Sequence, residues 1–310
     1  MKYFLLLLVV LFSVPWAQAS GRCVMDDSDR QVCLQKNKPS IVSLSPGTTE
    51  LLFAAGAGQQ VVAVDEHSDY PPQVKQLPKV GGFPNISVEA IIAQKPDLVV
   101  VWQGGNSMAL IQQLEKLGLK TVHIGPVTLP AIEQAIRKLG RLAGTESYAD
   151  QSADRFSRRL AKLHRQYSDL PPLSVFFELW QEPLMSVGNQ QIMTQAIKVC
   201  GGQSIFADVA EQTMNVSSEQ LVARNPQVIM AAAPLGDTPD TRQKMQVYWQ
   251  QWSELSAVKR RQFIILPSDL ITRPTPRMLE GTEVLCQQLQ AFRERKTRPE
   301  SSPGTSQTSN

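Results

Sequence analysis

Ser87 to Trp102 reads SVEAIIAQKPDLVVVW, and Ser217 to Ala232 reads SSEQLVARNPQVIMAA. The offset is 130 residues throughout, so Ser87 matches Ser217, Glu89 matches Glu219 and Pro96 matches Pro226. Each copy opens with a serine able to cap a helix and a carboxylate in its first turn. In the second copy Gln220 stands three residues after Ser217 and completes a capping box. The proline ends the helix and favours an extended segment. An apolar run follows, Leu98 to Trp102 or Val228 to Ala233, of the kind that suits a strand buried on both faces. One helix-to-strand unit used twice, far apart, points to two similar α/β lobes.

Residues 1–19 stand apart from this frame. Lys2 gives a positive start, Tyr3 to Val14 is apolar, and Ala17-Gln18-Ala19 is a small-x-small cleavage site. This reads as a signal peptide cleaved before Ser20, so the mature protein is expected to be exported and soluble after cleavage. Cys23 follows Ser-Gly-Arg and has no lipobox-like segment, so no lipid anchor is expected. No later segment approaches 18 continuous apolar residues, so none is expected to span a membrane. Formal net charge is +3, with Lys and Arg dispersed apart from Lys259-Arg260-Arg261, which gives no positive groove for nucleic acid. Four cysteines in an exported chain favour disulfides. Cys23 and Cys33 would pair across a small hairpin, and Cys200 and Cys286 across the second lobe. A metal site is the rival use. No C-x-x-C exists, and none is expected.

The chain divides into an N-terminal extension (20–38), a first α/β lobe (39–144), an interlobe helix (145–169), a second α/β lobe (170–292) and a disordered tail (293–310). In the interlobe segment Ala149, Phe156, Leu160, Leu163 and Tyr167 form one apolar stripe, while Asp150, Asp154, Arg158, Arg159, Lys162 and Arg165 cover the other faces. That is one long helix, a rigid strut unlike a Gly/Ser- or Pro-rich linker. Elsewhere, a helix is expected over Leu51 to Ala55 after the segment Ser45 to Glu50. Another carries Met108, Ile111, Leu114 and Leu117 on one face. Helices are also expected over Thr241 to Leu255 and Pro276 to Phe292. Residues 179–189 and 203–216 read as loops.

No catalytic set is legible: there is no G-x-S-x-G, H-E-x-x-H, P-loop or G-x-G-x-x-G. His123 falls in a strand and His164 on the polar side of the strut, which are structural places. His67 lies in a polar loop after a strand. Tyr70, Phe83, Trp102, Trp180 and the Asp269–Arg273 pair stand just past strand ends, the edge at which α/β lobes bind ligands. Two facing lobes would make one cleft, with aromatics for an apolar or planar ligand and an Asp/Arg pair for its polar groups.

SLSPGTTELLFAAG, HSDYPP, VEAIIAQKPDLVVVWQGGN, VCGGQSIF, SSEQLVARNPQVI and PSDLITRPTPR together resemble the cobalamin (vitamin B12)-binding family of periplasmic proteins, in the helical-backbone class that serves ABC importers. The resemblance runs from about Pro39 to Phe292. It implies two Rossmann-like lobes joined by a single long helix, a ligand cleft between them, a monomer and no enzymatic activity. It places the family's disulfide on Cys200 and Cys286. The Cys23/Cys33 pair falls in an extension that the best-known relative lacks. It also implies a ligand set of Gly47, His67, Phe83, Trp102, Asp269 and Arg273. His67 stands where the family has a tyrosine, and Phe83 where it has a tryptophan. A second family tryptophan aligns near Thr213. The implied ligand is cobalamin or a related corrinoid, with haem and ferric siderophores as alternatives in the same fold. The implied partner is the permease dimer of the importer, whose arginines would receive Glu89 and Glu219. A hydrolase with a hidden site and a non-transport extracellular interaction module are the readings of other classes.

Overall fold

The computed structural model describes residues 21–297. The expected signal peptide and the chain beyond residue 297 lie outside the described residues. Within them are two four-stranded parallel sheets of the same topology. In the first lobe the strands run in the order Val61–Val64, Ile41–Ser43, Leu98–Trp102, Thr121–Ile124. In the second they run Gly202–Ser204, Leu173–Glu178, Val228–Ala233, Phe263–Pro267. Each sheet therefore has its first strand flanked by the second and the third, with the fourth outside.

The repeat is the shared unit, and it reaches further than its letters. Ser87 caps the helix Val88–Ala93 by accepting from the Ala90 amide at 3.1 Å; Ser217 caps Ser218–Arg224 by accepting from Gln220 at 3.2 Å. Both helices are left through a non-glycine residue in the left-handed region, Lys95 (φ 48°) and Asn225 (φ 37°), just before the prolines. Entry to the strand is then tied the same way twice. The Asp97 amide donates to the Ser40 hydroxyl at 3.1 Å, and the Ser40 amide donates back to the Asp97 carboxylate at 2.6 Å. Gln227 and Ser174 repeat the exchange at 3.0 and 3.1 Å. This latch joins the start of each lobe's first strand to the start of its third and fixes their parallel register.

The strut is the helix Glu146–Tyr167 of 22 residues, about 33 Å long. Its stripe of Ala149, Ala153, Phe156, Leu163 and Tyr167 is buried in a core that also takes Ile41, Leu98 and Ile136 of the first lobe and Val175, Val228 and Leu289 of the second. A single apolar core thus runs from lobe to lobe through the strut. Each sheet's other face has a core of its own, around Val99 and Ile111 in one lobe and Phe176 and Trp249 in the other. Arg159 adds ion pairs from the strut to Glu283 on the C-terminal helix. Both expected disulfides are present: Cys23–Cys33 across an antiparallel hairpin, and Cys200–Cys286 between the end of the helix Ile192–Val199 and the C-terminal helix.

Several local expectations need correction. The first helix begins at Pro46, not Leu51, because Ser45 caps it and proline suits its first turn. Met108 and Leu117 are exposed, and only Ile111 and Leu114 of that face are buried, since the helix is short and meets the sheet at its centre. Residues 179–189 and 203–216 are not wholly loop: Met185–Val187 pairs with Thr213–Asn215, and Ser204 ends an edge strand. The helix expected to end at Leu255 begins at Pro239 and ends at Trp249. The last helix runs from Met278 to Thr297, so residues 293–297 are helical rather than tail; Arg293 anchors them to the carbonyls of Pro171, Cys200 and Gly201.

The strut and the helix Leu129–Ala143 approach closely because Gly140 has no side chain. A Cβ there would lie 2.1 Å from the Ala149 Cβ. Gly140→Ala must therefore push the strut off the first lobe, at a cost of about 1–3 kcal/mol that outweighs alanine's helix propensity. Denaturant unfolding should read that loss; a variant as stable as the wild type would contradict this packing.

Candidate functional site

The site lies where the sheet topology leaves room for one. In the first lobe, strands one and three are neighbours but send their connections to different places, so a crevice opens beyond their carboxyl ends. The first strand feeds Ser45 to Thr48 at the start of its helix, and the third ends on Trp102. A cavity of about 240 Å³ forms there, walled by Gly47, Thr48, Trp102, Ile124 and Pro126, and closed by Thr272, Arg273 and Pro274 of the second lobe. Trp102 is 44% exposed, while Leu98 to Val101 before it are fully buried. Gly47 would bring a Cβ no nearer than 4.0 Å to any neighbour, so this part of the wall is open for lack of a side chain.

Behind the cavity wall is a buried chain of hydroxyls. Thr48 bonds Ser43 at 2.8 Å and Ser45 at 2.9 Å; Thr49 bonds Ser43 at 2.9 Å and Ser68 at 2.8 Å. Ser68 donates to the buried Asp65 carboxylate. Burial pushes the Asp65 carboxyl up, while the Ser68 hydroxyl and the His67 amide pull against that. The chain fixes the loop that carries His67, Asp69 and Tyr70.

Beside the cavity the lobes are joined by charge. Glu50 on the first lobe's first helix is buried, and it accepts from Thr275 at 2.8 Å and from Arg273 and Arg277 at 3.2 Å each, all of the second lobe. Arg273 also donates to Asp69 at 2.8 Å, and Arg277 donates to Asp269 at 2.5 Å and lies 4.1 Å over the Tyr70 ring. Burial pushes the Glu50 carboxyl up; the Thr275 hydroxyl and the two guanidiniums offset part of that rise. The expected Asp269–Arg273 pair is therefore corrected: Asp269 takes Arg277, because Arg273 is drawn across the interface to Glu50 and Asp69.

Of the residues singled out from the sequence, Gly47, Trp102 and Arg273 come together at the cavity. His67 and Phe83 are exposed neighbours at the first lobe's edge and do not line it: the His67 ring lies 2.9 Å from where a Gly82 Cβ would be. Asp269 stands behind Arg277. Glu89 and Glu219 are exposed in the first turns of their repeat helices, on equivalent elements, and neither lines the cavity. Glu50 was missed, although an acid inside TTELLFAA has to find a partner if that helix is buried. Thr213, where a family aromatic is absent, is exposed on a short strand.

Glu178 was missed as well. It ends the second lobe's first strand, is buried, and accepts from the Trp249 indole at 2.5 Å and the Gln181 amide at 2.9 Å. It so holds the turn that presents Trp180, which is 63% exposed. Among the described residues no cation pairs with it, and burial pushes its carboxyl up despite those two donors. The native state then keeps this proton to higher pH than the unfolded chain. Its contribution is full below the unfolded carboxylate range and is lost as pH rises through the folded value. Glu178→Gln keeps an acceptor for Trp249 and removes the titration. Its melting temperature relative to the wild type should rise as pH climbs above the ordinary carboxylate range. A difference that stays constant over that climb would refute the assignment.

Residues 41–270 match the periplasmic binding protein family. The chain is 34% identical over 247 residues to the vitamin B12-binding protein of Vibrio cholerae, covering 79% of this chain and 87% of that one. Among solved structures, the periplasmic vitamin B12-binding protein of Vibrio cholerae superposes with a TM-score of 0.74 at 33% identity, over 83% of this chain and 98% of that one. A periplasmic haem-binding protein of Roseiflexus superposes with a TM-score of 0.69 at 23% identity, over 81% and 97%, a likeness of fold.

Proposed function

The chain belongs to the periplasmic binding protein family, and we propose that it captures cobalamin or a related corrinoid in the periplasm and delivers it to an ABC importer. One observation carries this reading. The cavity to which Trp102 of one lobe and Arg273 of the other both contribute sits at the ligand edge of the fold, in a chain similar along most of its length to a vitamin B12-binding relative. The Trp102 ring offers an apolar plane to a macrocycle face. Gly47 leaves room beside it, and Arg273 can donate to amide carbonyls at the macrocycle's rim. His67 and Phe83 extend the same edge as a mouth, and Asp269 steadies Arg277 beside it. The charge balance supports an amide-bearing macrocycle over an acidic one. Arg273 and Arg277 already answer Glu50, Asp69 and Asp269, so a haem propionate or an anionic siderophore must compete for them.

Calorimetric titration of the mature protein with cyanocobalamin, cobinamide and haem tests the ligand. A corrinoid should bind one per monomer and more tightly than haem. Trp102→Ala should weaken that binding by about 10-fold or more through lost stacking and burial. Haem binding tighter than either corrinoid would reject the reading.

Delivery needs a second surface. Glu89 and Glu219 present exposed carboxylates at equivalent places on two lobes of equal topology, as a two-fold symmetric permease dimer would require. An arginine on each permease subunit can grip a carboxylate through two charge-assisted hydrogen bonds. The Glu219 carboxyl is already held below its ordinary range, by its own backbone amide and the Ser217 hydroxyl. Replacing both by alanine should leave corrinoid affinity unchanged and abolish most uptake by the cognate importer in liposomes. Normal uptake by the double variant would remove the docking role.

A further inference from the structure

The hairpin Arg22–Met25/Gln31–Leu34 is outside the duplicated frame, yet its tip reaches the cavity wall. The strand Thr121–Ile124 is the open edge of the first lobe's sheet, and its outward backbone groups need partners. The tip supplies them. The Asp27 amide donates to the His123 carbonyl at 2.9 Å, the His123 amide donates to Asp26 at 3.1 Å, and the Gly125 amide donates to Asp27 at 2.7 Å. The Lys138 ammonium donates to the other Asp27 oxygen at 2.6 Å. Ser28 bonds the His123 imidazole at 2.7 Å and donates to Gln103 at 2.8 Å.

Two of these partners flank cavity residues. Gly125 lies between Ile124 and Pro126, and Gln103 follows Trp102. The two segments are themselves joined, since the Gln103 amide donates to the Ile124 carbonyl at 3.0 Å. They leave no slack, because a Gly125 Cβ would meet Gln103 at 2.7 Å. Cys23 and Cys33 face each other in the hairpin register, so the strands behind the tip cannot part.

We propose that Asp27 and Ser28 are positioning residues for the ligand site: the disulfide-closed hairpin clamps the Trp102–Gln103 and Ile124–Pro126 segments and so sets the place of the Trp102 ring. They act through Gly125 and Gln103 and touch no ligand. A side chain displaced by a fraction of an ångström at a binding site loses much of its contact, whereas the same slack at an ordinary sheet edge has no effect on binding.

The proposal rests on reading the interlobe cavity as the ligand site, and its test separates the two. Asp27→Ala removes both the Gly125 bond and the Lys138 ion pair; Lys138→Met removes the ion pair alone. Cyanocobalamin should bind Asp27→Ala about 10-fold more weakly than the wild type and Lys138→Met nearly as the wild type, at a temperature where both remain folded. Asp27→Asn, which keeps an acceptor for Gly125, should restore much of the loss. Equal affinities for wild type and Asp27→Ala, or equal losses in Asp27→Ala and Lys138→Met, would overturn the clamp. Amide exchange is the arm that needs no ligand. The Gly125 and Gln103 amides should exchange faster in Asp27→Ala than in Lys138→Met, and identical exchange would also overturn it. A wild type that fails to bind cyanocobalamin would reject the proposed ligand, leaving the exchange result to decide the clamp.

Discussion

Glu50 is the interaction on which the arrangement of the site depends. It is a buried carboxylate on one lobe whose three side-chain donors all come from the other. Such an ion pair adds little net stability, because desolvation offsets most of the attraction. What it fixes is position. Parting the lobes there would strand a carboxylate and two guanidiniums without their partners, which is far more costly than the pair is favourable. The strut does the same at longer range with apolar surface, since its stripe is buried in a core common to both lobes. The lobes are thus held at one side by a rigid helix and beside the cavity by Glu50, and the cavity between them inherits that fixed geometry.

The charge cluster also explains why a guanidinium can stand beside an apolar cavity. Arg273 reaches both the buried Glu50 and the exposed Asp69 through one nitrogen, Nη1, and Arg277 reaches Glu50 and Asp269 through its two Nη atoms, with the Tyr70 ring beneath it. Each guanidinium keeps its charge in a partly buried place because acceptors surround it. The loop bearing Asp69 and Tyr70 is in turn set by Asp65 and the buried hydroxyls. A polar scaffold within the first lobe therefore decides how the second lobe's arginines are presented.

The frame of this molecule was legible in the sequence because it rests on local signals. The Ser-x-Glu caps, the prolines and the apolar runs marked the repeat, and the strut's stripe marked one long helix. That the cysteines form disulfides followed from number and compartment, and the pairing from the closeness of Cys23 to Cys33, which leaves Cys200 and Cys286 to each other. What was not legible depends on distant contacts. Nothing local says that Met185–Val187 and Thr213–Asn215 pair, since each is a three-residue strand without strong alternation. Asp269 and Arg273 are four residues apart and read as partners, but Glu50 lies more than two hundred residues away and takes Arg273 instead. Phe83 and His67 were placed at the ligand edge from their loops after strands and from the family resemblance, and neither could say which edge residues would line the cavity. Trp102 could be chosen because the run before it is wholly apolar and ends in an aromatic with a polar tip.

The two lobes repeat their topology and their latches but not their ends. Where the first lobe finishes its third strand on Trp102, the second has Ala232, and the strand runs one residue longer. A parallel sheet separates these tasks physically. The strand entries, with Ser40–Asp97 and Ser174–Gln227, hold register and admit little change, because any change there shifts a whole buried strand. The strand exits feed loops, where one side chain can change without moving the sheet. Symmetry therefore survives on the repeat helices, where Glu89 and Glu219 stand as equivalents, and is lost at the cavity, where one lobe brings an indole and the other a guanidinium. A duplicated chain of this kind can offer an unsymmetrical pocket to a small ligand while keeping two equivalent exposed carboxylates, because the cavity is built from strand-exit loops that differ between the lobes, whereas the repeat helices keep the same place in each.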